Sequence, residues 1–352
     1  MRVALDVTAR ISGVTGVARY AAELDAALVR RGIDVRRYAM GRAPHPAPAG
    51  TRRIRVPLRV LHAAWSRSEL PRIEWLCPSA DLVHTLDLIA PPTRLPSVAT
   101  VHDLDAVVHP DLHPPREVSV QRVQLESLRR ADVILADSGA TARALAGAGV
   151  GEERVMVVPL GRTALPDAAA ATVAGADRYV LCVGRIERRK GQDVLVRAMA
   201  DSRLASTALV LVGPDGLGAD EVRAEVVRLG LAGRVRFEGP VEDDRLAGLY
   251  AGASVFSLAS RGEGFGLPVL EAMAVGLPVV ATKIDALTEL TADAALLVPV
   301  DDAAALADAL VAALDDGAVR DRLGSAGQAR ASSFTWDACA MATVAAYQRL
   351  LG

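Results

Sequence analysis

Between residues 2 and 159 the chain repeats one pattern: a short unbroken apolar run, a turn, then a stretch with apolar residues at helical spacing. The runs at 2–7, 33–40, 81–84, 97–101, 132–136 and 154–159 read as strands buried on both faces, because a strand with one wet face would alternate apolar and polar residues. Residues 17–31, 115–130 and 138–146 read as helices. Val17, Tyr20, Ala21, Leu24, Ala27 and Leu28 share one face of the first, Gly32 is its stop signal, and Ser138 is an N-cap for the third. Strands that alternate with helices return to the same sheet edge, so they run parallel. The fold class this dictates is α/β, built on doubly wound parallel sheet.

Residues 160–176 are low in complexity and carry no periodicity, as expected of a linker between domains. The pattern then resumes, with strands at 178–184, 208–213, 235–239, 254–258, 278–281 and 295–298. Helices near 193–199, 243–250, 267–275, 302–314 and 323–332 come between and after them, and Phe334-Thr335-Trp336 leads into a last helix ending at Leu351. The expected domains are 1–162 and 177–334, followed by a closing helix at 335–352 whose place in the first domain is given by the resemblance described below.

A length of 352 residues suits two such domains, and a formal net charge of −2 argues against a nucleic-acid binder. No apolar run approaches the roughly eighteen residues that a spanning helix needs. The first residues go straight into a strand pattern without a signal-peptide layout. Cys77, Cys182 and Cys339 are too widely spaced for a disulfide framework or a zinc site. These features fit a soluble protein of a reducing, cytoplasmic compartment. Residues 51–76 interleave arginines with Trp65 and Trp75. A solvated helix face with a packed Trp is the ordinary reading, and peripheral contact with the anionic inner face of a membrane is the other.

Chemistry concentrates in residues 260–281. Glu263 precedes a Gly264-Phe265-Gly266 bend, and Leu267 and Pro268 open an apolar helical run carrying Glu271. Proline costs nothing in a first helical turn, and the glycines let the backbone turn sharply toward a ligand. The unpaired N–H groups of Gly266, Leu267 and their neighbours make an anion site. Glu263 and Glu271 can only accept hydrogen bonds when ionised, which suits hydroxyl groups. Phosphate and many hydroxyls together describe a nucleotide sugar. A second loop, 185–191, places Arg185 and Lys190 at a strand's carboxyl end, ahead of a helix, as a pyrophosphate cradle would. Lys190 is one of only two lysines against 38 arginines, so a compact ammonium is wanted there.

In the first half, Gly16 lies in the first strand-to-helix loop, where it is either an ordinary turn residue or a backbone donor to a ligand. His102 closes the strand 97–101, where ligands of open α/β sheets bind, and an imidazole there can donate to a sugar hydroxyl or move a proton. Asp103-Leu104-Asp105 has the form of a metal-binding pair but is too short to carry that reading. No metal site and no cofactor is expected.

Taken together, these residues resemble the retaining GT-B glycosyltransferases of family four. The chain reads E-G-F-G-L-P-V-L-E-A-M-A-V-G-L-P-V-V-A from Glu263, V-G-R-I-E-R-R-K-G to Gly191, and His102-Asp103 after its strand, and departs from the commonest form at Val275 and Ala259. The resemblance covers nearly the whole chain and implies two Rossmann-like domains facing a cleft, with the last helix crossing back to the first domain. It implies an acceptor site in the first domain and a nucleotide-sugar site in the second, and a metal-independent retaining transfer of a hexose to a saccharide, lipid-linked or small-molecule acceptor. By the same token, Arg185 and Lys190 would hold the diphosphate, Glu271 the ribose, and Glu263 with the amides of Phe265, Gly266 and Leu267 the sugar. His102 would lie beside the sugar and the leaving oxygen. The pattern around the opening helix leans to the mannosyltransferase-like branch and GDP-mannose, with UDP- and ADP-sugars also open. A nucleotide-sugar epimerase, a phosphorylase or an inactive nucleotide-sugar-binding subunit are the alternatives.

Overall fold

The computed structural model describes residues 1–13, 16–42, 45–65, 67–87, 89–173 and 177–352. The chain divides into two compact units, one made of Met1–Val108, Pro115–Gly161 and Thr335–Gly352, the other of His109–Pro114 and Arg162–Phe334. The first holds strands β1 (Arg2–Asp6), β2 (Asp34–Met40), β3 (Arg52–Ile54), β4 (Leu82–Thr85), β5 (Ser97–Val101), β6 (Val133–Ala136) and β7 (Val155–Val157). They form one sheet in the order β3-β2-β1-β4-β5-β6-β7, every neighbouring pair parallel. The second holds β8 (Arg178–Val183), β9 (Thr207–Val212), β10 (Val235–Gly239), β11 (Val255–Leu258), β12 (Val279–Thr282) and β13 (Leu296–Val298). Their order is β10-β9-β8-β11-β12-β13, again all parallel. Strand order reverses between β1 and β4 in one sheet and between β8 and β11 in the other, and such reversal points open the crevices where α/β sheets take ligands.

The central strands β4, β5, β6, β9, β11 and β12 are buried along their whole length, as unbroken apolar runs require. The stretch 51–76 is not one solvated helix face. It divides into the edge strand β3, the helix Leu58–Trp65 and a short turn of helix at Ile73–Trp75. Arg52 and Arg53 turn to the Leu76 and Gly41 carbonyls, at 2.6 and 3.3 Å. Trp65 is core, its indole N–H donating to the Pro71 carbonyl at 3.1 Å, whereas Trp75 is 64% exposed. The helix Thr8–Ser12 stands in the strand-to-helix loop ahead of Gly16, and Ala219–Arg228 and Asp285–Thr291 stand in stretches where the sequence pattern marks neither helix nor strand. Ala219–Arg228 was obscured by the glycines before it, yet Gly218 sits in the left-handed region at φ 95° and starts the helix, with Asp220 and Glu221 favouring its N-terminus. The helix Gly317–Ala331 likewise starts before residue 323, because the Asp316 side chain caps Ala318 and Val319.

The last helix, Trp336–Leu351, belongs to the first unit and packs on the helix Gly16–Arg30. Thr335 caps it, Asp337 pairs with Arg31 at 2.8 Å, and the Trp336 ring lies 5.9 Å from that of Tyr20. A buried polar chain completes the attachment. The Tyr347 hydroxyl meets His84 Nδ1 at 2.6 Å, His84 Nε2 meets Thr100 Oγ1 at 2.8 Å, and Thr100 meets the Tyr20 hydroxyl at 3.0 Å. Burial, then the charge of His102, pushes His84 down to about 3, so its ring is neutral. Removing the Tyr347 hydroxyl would strand one ring nitrogen. Tyr347→Phe is therefore expected to cost about 1–3 kcal/mol in urea unfolding, the desolvation cost of an unmet buried polar group. An unchanged midpoint would mean that the chain does not hold the helix. Cys77, Cys182 and Cys339 are buried free thiols, and no helix among the described residues is long and apolar enough to cross a membrane.

Candidate active site

The loops that follow β8 and β11 meet at the reversal point of the second sheet. Gly191, at φ 64°, comes so close to the β11 side that a Cβ built on it would lie 1.9 Å from the Ala259 carbonyl oxygen. Gly213 makes a similar approach to the β8 loop, where a Cβ would lie 2.2 Å from the Gly184 carbonyl. Gln192, fully buried, holds the loop backbone by donating to the Arg185 carbonyl at 2.9 Å and accepting from the Glu187 amide at 3.3 Å. Gly191→Ala is expected to force the loops apart and cost about 1–3 kcal/mol, the range for a strained backbone position. Thermal unfolding would read it, and wild-type stability in the variant would show that the loops yield freely.

The close approach brings two expected residues into direct contact. Lys190 Nζ lies 2.6 and 2.8 Å from the two carboxylate oxygens of Glu263, with side chains only 11% and 6% exposed. Ser260 donates to Glu263 Oε1 at 2.7 Å, and Arg189 Nη1 stands 3.6 Å from Oε2 while donating to the Gly262 carbonyl at 3.0 Å. Burial alone would raise the Glu263 carboxyl. The charges of Lys190 and Arg189, with the hydrogen bonds from Lys190 and Ser260, outweigh it and hold the group below its ordinary value. An ammonium has three N–H groups, and the two contacts to this carboxylate engage no more than two of them. Arg185 keeps its side chain 53% exposed, its stem crossing Gly216 closely enough that a Cβ there would lie 2.7 Å from Arg185 Cδ. The other lysine, Lys283, is exposed.

Beyond Glu263 the backbone turns through Gly266, at φ 101°, into the helix Leu267–Ala274 with Pro268 in its first turn. A Cβ on Gly266 would lie 2.6 Å from the Leu287 side chain, so glycine is needed there for space as well as for the turn. Gly264 and Phe265 are buried, and the Phe265 ring packs edge-on against Phe334 at 5.8 Å. With Gly266 bare of a side chain and the Phe265 ring packed away, the turn presents backbone amides at the helix N-terminus. Glu271 is buried in that helix, and Tyr250 donates its hydroxyl to Oε2 at 3.0 Å.

Gly16 and His102 belong to the first unit. Gly16 opens the helix Gly16–Arg30. His102, at the end of β5, has both ring nitrogens engaged: Nδ1 with Asp137 Oδ2 at 2.7 Å, Nε2 with the Leu86 carbonyl at 3.1 Å. A carbonyl only accepts, so Nε2 carries a proton. Burial would lower the ring's pKa, but Asp137 and Asp87, with the hydrogen bonds to Asp137 and Leu86, raise it to about 9. The ring is an imidazolium with no lone pair to offer. Asp103 turns inward, its Oδ1 accepting from the Asp105 amide at 3.1 Å and from Gln121 at 3.3 Å, so this pair organises a loop. Among the described residues no group of three or more His, Cys, Asp or Glu could hold a metal ion.

Sequence reasoning did not single out Ser260, Arg189, Gln192, Tyr250 or Asp137. Ser260 and Arg189 sit inside motifs already in view and could have been read as partners for Glu263. Tyr250 and Asp137 come from other elements and left no local signal.

Two parallel α/β sheets, each with a reversal of strand order, with a cationic loop and a Glu-Gly-Phe-Gly helix start in the second, are the features of the GT-B glycosyltransferase fold. Comparison with known proteins agrees. The model described as glycosyl transferases group 1 matches residues 177–316, and that of Glycosyltransferase Family 4 matches residues 14–162. The chain belongs to this glycosyltransferase family. It is 34% identical to a D-inositol 3-phosphate glycosyltransferase of Nocardia farcinica, over 73% of this chain but only 62% of that protein's length. It is 29% identical to the O-antigen chain mannosyltransferase B of Escherichia coli, over 83% of this chain and 79% of the relative. Among solved structures it is similar to a sucrose-phosphate synthase from Thermosynechococcus elongatus, at 26% identity and a TM-score of 0.79, covering 99% of this chain and 98% of that one.

Proposed function

We propose that this chain transfers a hexose from a nucleotide sugar to a hydroxyl acceptor with retention of configuration and without a metal ion. The observation that carries the reading is the Lys190–Glu263 pair beside the helix start at Gly266. Arg185, the remaining Lys190 N–H and the backbone amides from Phe265 to Leu267 would hold the diphosphate and neutralise the charge that grows as it departs. Glu271, oriented by Tyr250, would accept from ribose hydroxyls, and Glu263 from the sugar. In the transfer, the bond from the anomeric carbon to the diphosphate oxygen breaks and a bond to the acceptor oxygen forms on the same face. The acceptor's proton passes to the departing phosphate. Glu263 suits a binding role better than a nucleophilic one, since Lys190, Arg189 and Ser260 already engage its oxygens.

GDP-mannose is the favoured donor, and the Escherichia coli relative, a mannosyltransferase, supports the choice of sugar. The Nocardia relative, a D-inositol 3-phosphate glycosyltransferase, supports a small polyol as one acceptor class, beside saccharides and lipid-linked saccharides. The first unit would carry the acceptor and the second the donor. The exposed Trp75, Leu70 and Val60 would be the points of any peripheral membrane contact, which sedimentation with anionic liposomes would test.

The function is tested by thermal unfolding with GDP-, UDP- and ADP-hexoses, because a bound donor stabilises by mass action. One of the three is expected to raise the midpoint at millimolar concentration. Product from that donor and a sugar acceptor should then keep the donor's anomeric configuration by NMR. No shift with any donor would sink the proposal, and nucleotide release without an acceptor would turn it toward an epimerase.

A further inference from the structure

Arg261 lies between Ser260 and Glu263, and its guanidinium makes four hydrogen bonds and a further close ion-pair contact. Nε and Nη2 reach Asp301 Oδ1 at 2.8 and 2.7 Å, Nη1 and Nη2 reach Asp193 at 3.0 and 2.9 Å, and Nη1 also donates to the Arg188 carbonyl. Its own amide donates to the Arg189 carbonyl at 2.7 Å. In the opposite sense, Arg189 donates to the Gly262 carbonyl at 3.0 Å. The loop after β8 and the loop after β11 are thus laced together immediately beside Lys190 and Glu263. Asp301 adopts a left-handed backbone at φ 63°, unusual for a residue with a side chain, and Arg261 holds the carboxylate presented there. The Arg261 side chain is 17% exposed and that of Asp193 25%, so this pair is screened less than a surface one, whereas Asp301 is 54% exposed.

We propose that Arg261 is a positioning residue: it sets the spacing of the two loops, and so holds Lys190 and Glu263 ready for the donor diphosphate. This rests on the donor reading above and adds to it a residue that touches no substrate atom. A lysine there would keep the charge but lose the planar fork that binds two carboxylates and a carbonyl at once.

The test uses the full chain. GDP, UDP and ADP are titrated calorimetrically into wild type, and the nucleotide that binds is carried forward. Arg261→Lys is expected to bind it at least tenfold more weakly. The same substitution made on top of Lys190→Ala should change affinity by less than twofold, because a residue acting through Lys190 has nothing left to position. A merely structural role would lower affinity equally in both backgrounds. Asp193→Asn and Asp301→Asn should each weaken binding several-fold, and they carry the test if Arg261→Lys does not fold. Arg203→Lys, an exposed arginine paired with Asp201 and Asp308, is the control that should bind as wild type. Undiminished affinity in folded Arg261→Lys, or in both aspartate variants, overturns the inference, as does an equal loss in the two backgrounds. If wild type binds none of the three nucleotides, the donor reading itself has failed, and this inference falls with it.

Discussion

Lys190→Met is expected to lower kcat/KM by about a hundredfold or more while also destabilising the fold, and the two losses have separate causes. The kinetic loss follows from removing a preorganised cation from the site where charge grows on the leaving group, an effect typically of 10²–10³ in rate. The loss of stability comes from Glu263. With its ammonium partner gone, a carboxylate 6% exposed faces only Ser260 and the more distant Arg189. Breaking one side of a buried pair in this way typically costs about 3–5 kcal/mol.

A second substitution separates the two effects. Glu263→Gln added to Lys190→Met removes the stranded charge, so the unfolding midpoint in urea should return most of the way to wild type while kcat/KM stays low. The pair also has a pH signature. Glu263 is held below its ordinary carboxyl value, so its stabilisation is present at neutral pH and lost only as pH falls through that lowered value. Near wild-type transfer by folded Lys190→Met would remove Lys190 from the mechanism.

Most of the two sheets was legible in the sequence, because strands covered on both faces have to be apolar throughout. β3 was not, since three residues with two arginines at a sheet edge carry no apolar signal. Helices that begin after glycines, such as Ala219–Arg228, were masked by the turn residues that start them. For the site, residue type and loop position were legible, but partnership was not. Lys190 and Glu263 stand 73 positions apart, and nothing local in either loop says that the carboxylate will close on the ammonium. Tyr250 is 21 positions from Glu271, and Asp137 is 35 from His102. Arg261 is one arginine among 38, distinguished only by the two aspartates that the fold carries to it. Local pattern selects the elements, whereas the pairing of charges depends on which strand ends become neighbours.

His102 offers the sharpest test of a role read from sequence, because a proton acceptor and a fixed cation predict opposite pH profiles. As a base, it would work only once deprotonated, and activity would rise with pH. The structure favours the cation. The Leu86 carbonyl requires a proton on Nε2 and the Asp137 carboxylate favours one on Nδ1, and a neutral ring can satisfy only one of them. The charged groups around it agree: Asp137 and Asp87 favour the cation, Asp103 adds negative charge near Asp137, and His84 is neutral. Transfer is therefore expected to be level across neutral pH and to fall about tenfold per unit above roughly pH 9, as the proton is lost. Asp137→Asn should move that alkaline limb down toward pH 6.5, the ordinary value for histidine. Stability should follow with the same sign. The folded pKa lies above the unfolded one, so the contribution is complete below about pH 6.5 and disappears as pH rises through about 9. Each pH unit within that window is worth about 1.4 kcal/mol, and urea midpoints from pH 6 to 10 should show the slope in wild type and lose it in His102→Gln. Activity that climbs with pH through the neutral range and disappears in His102→Gln would instead make the histidine a proton acceptor, one that must leave Leu86 or Asp137 before it can act.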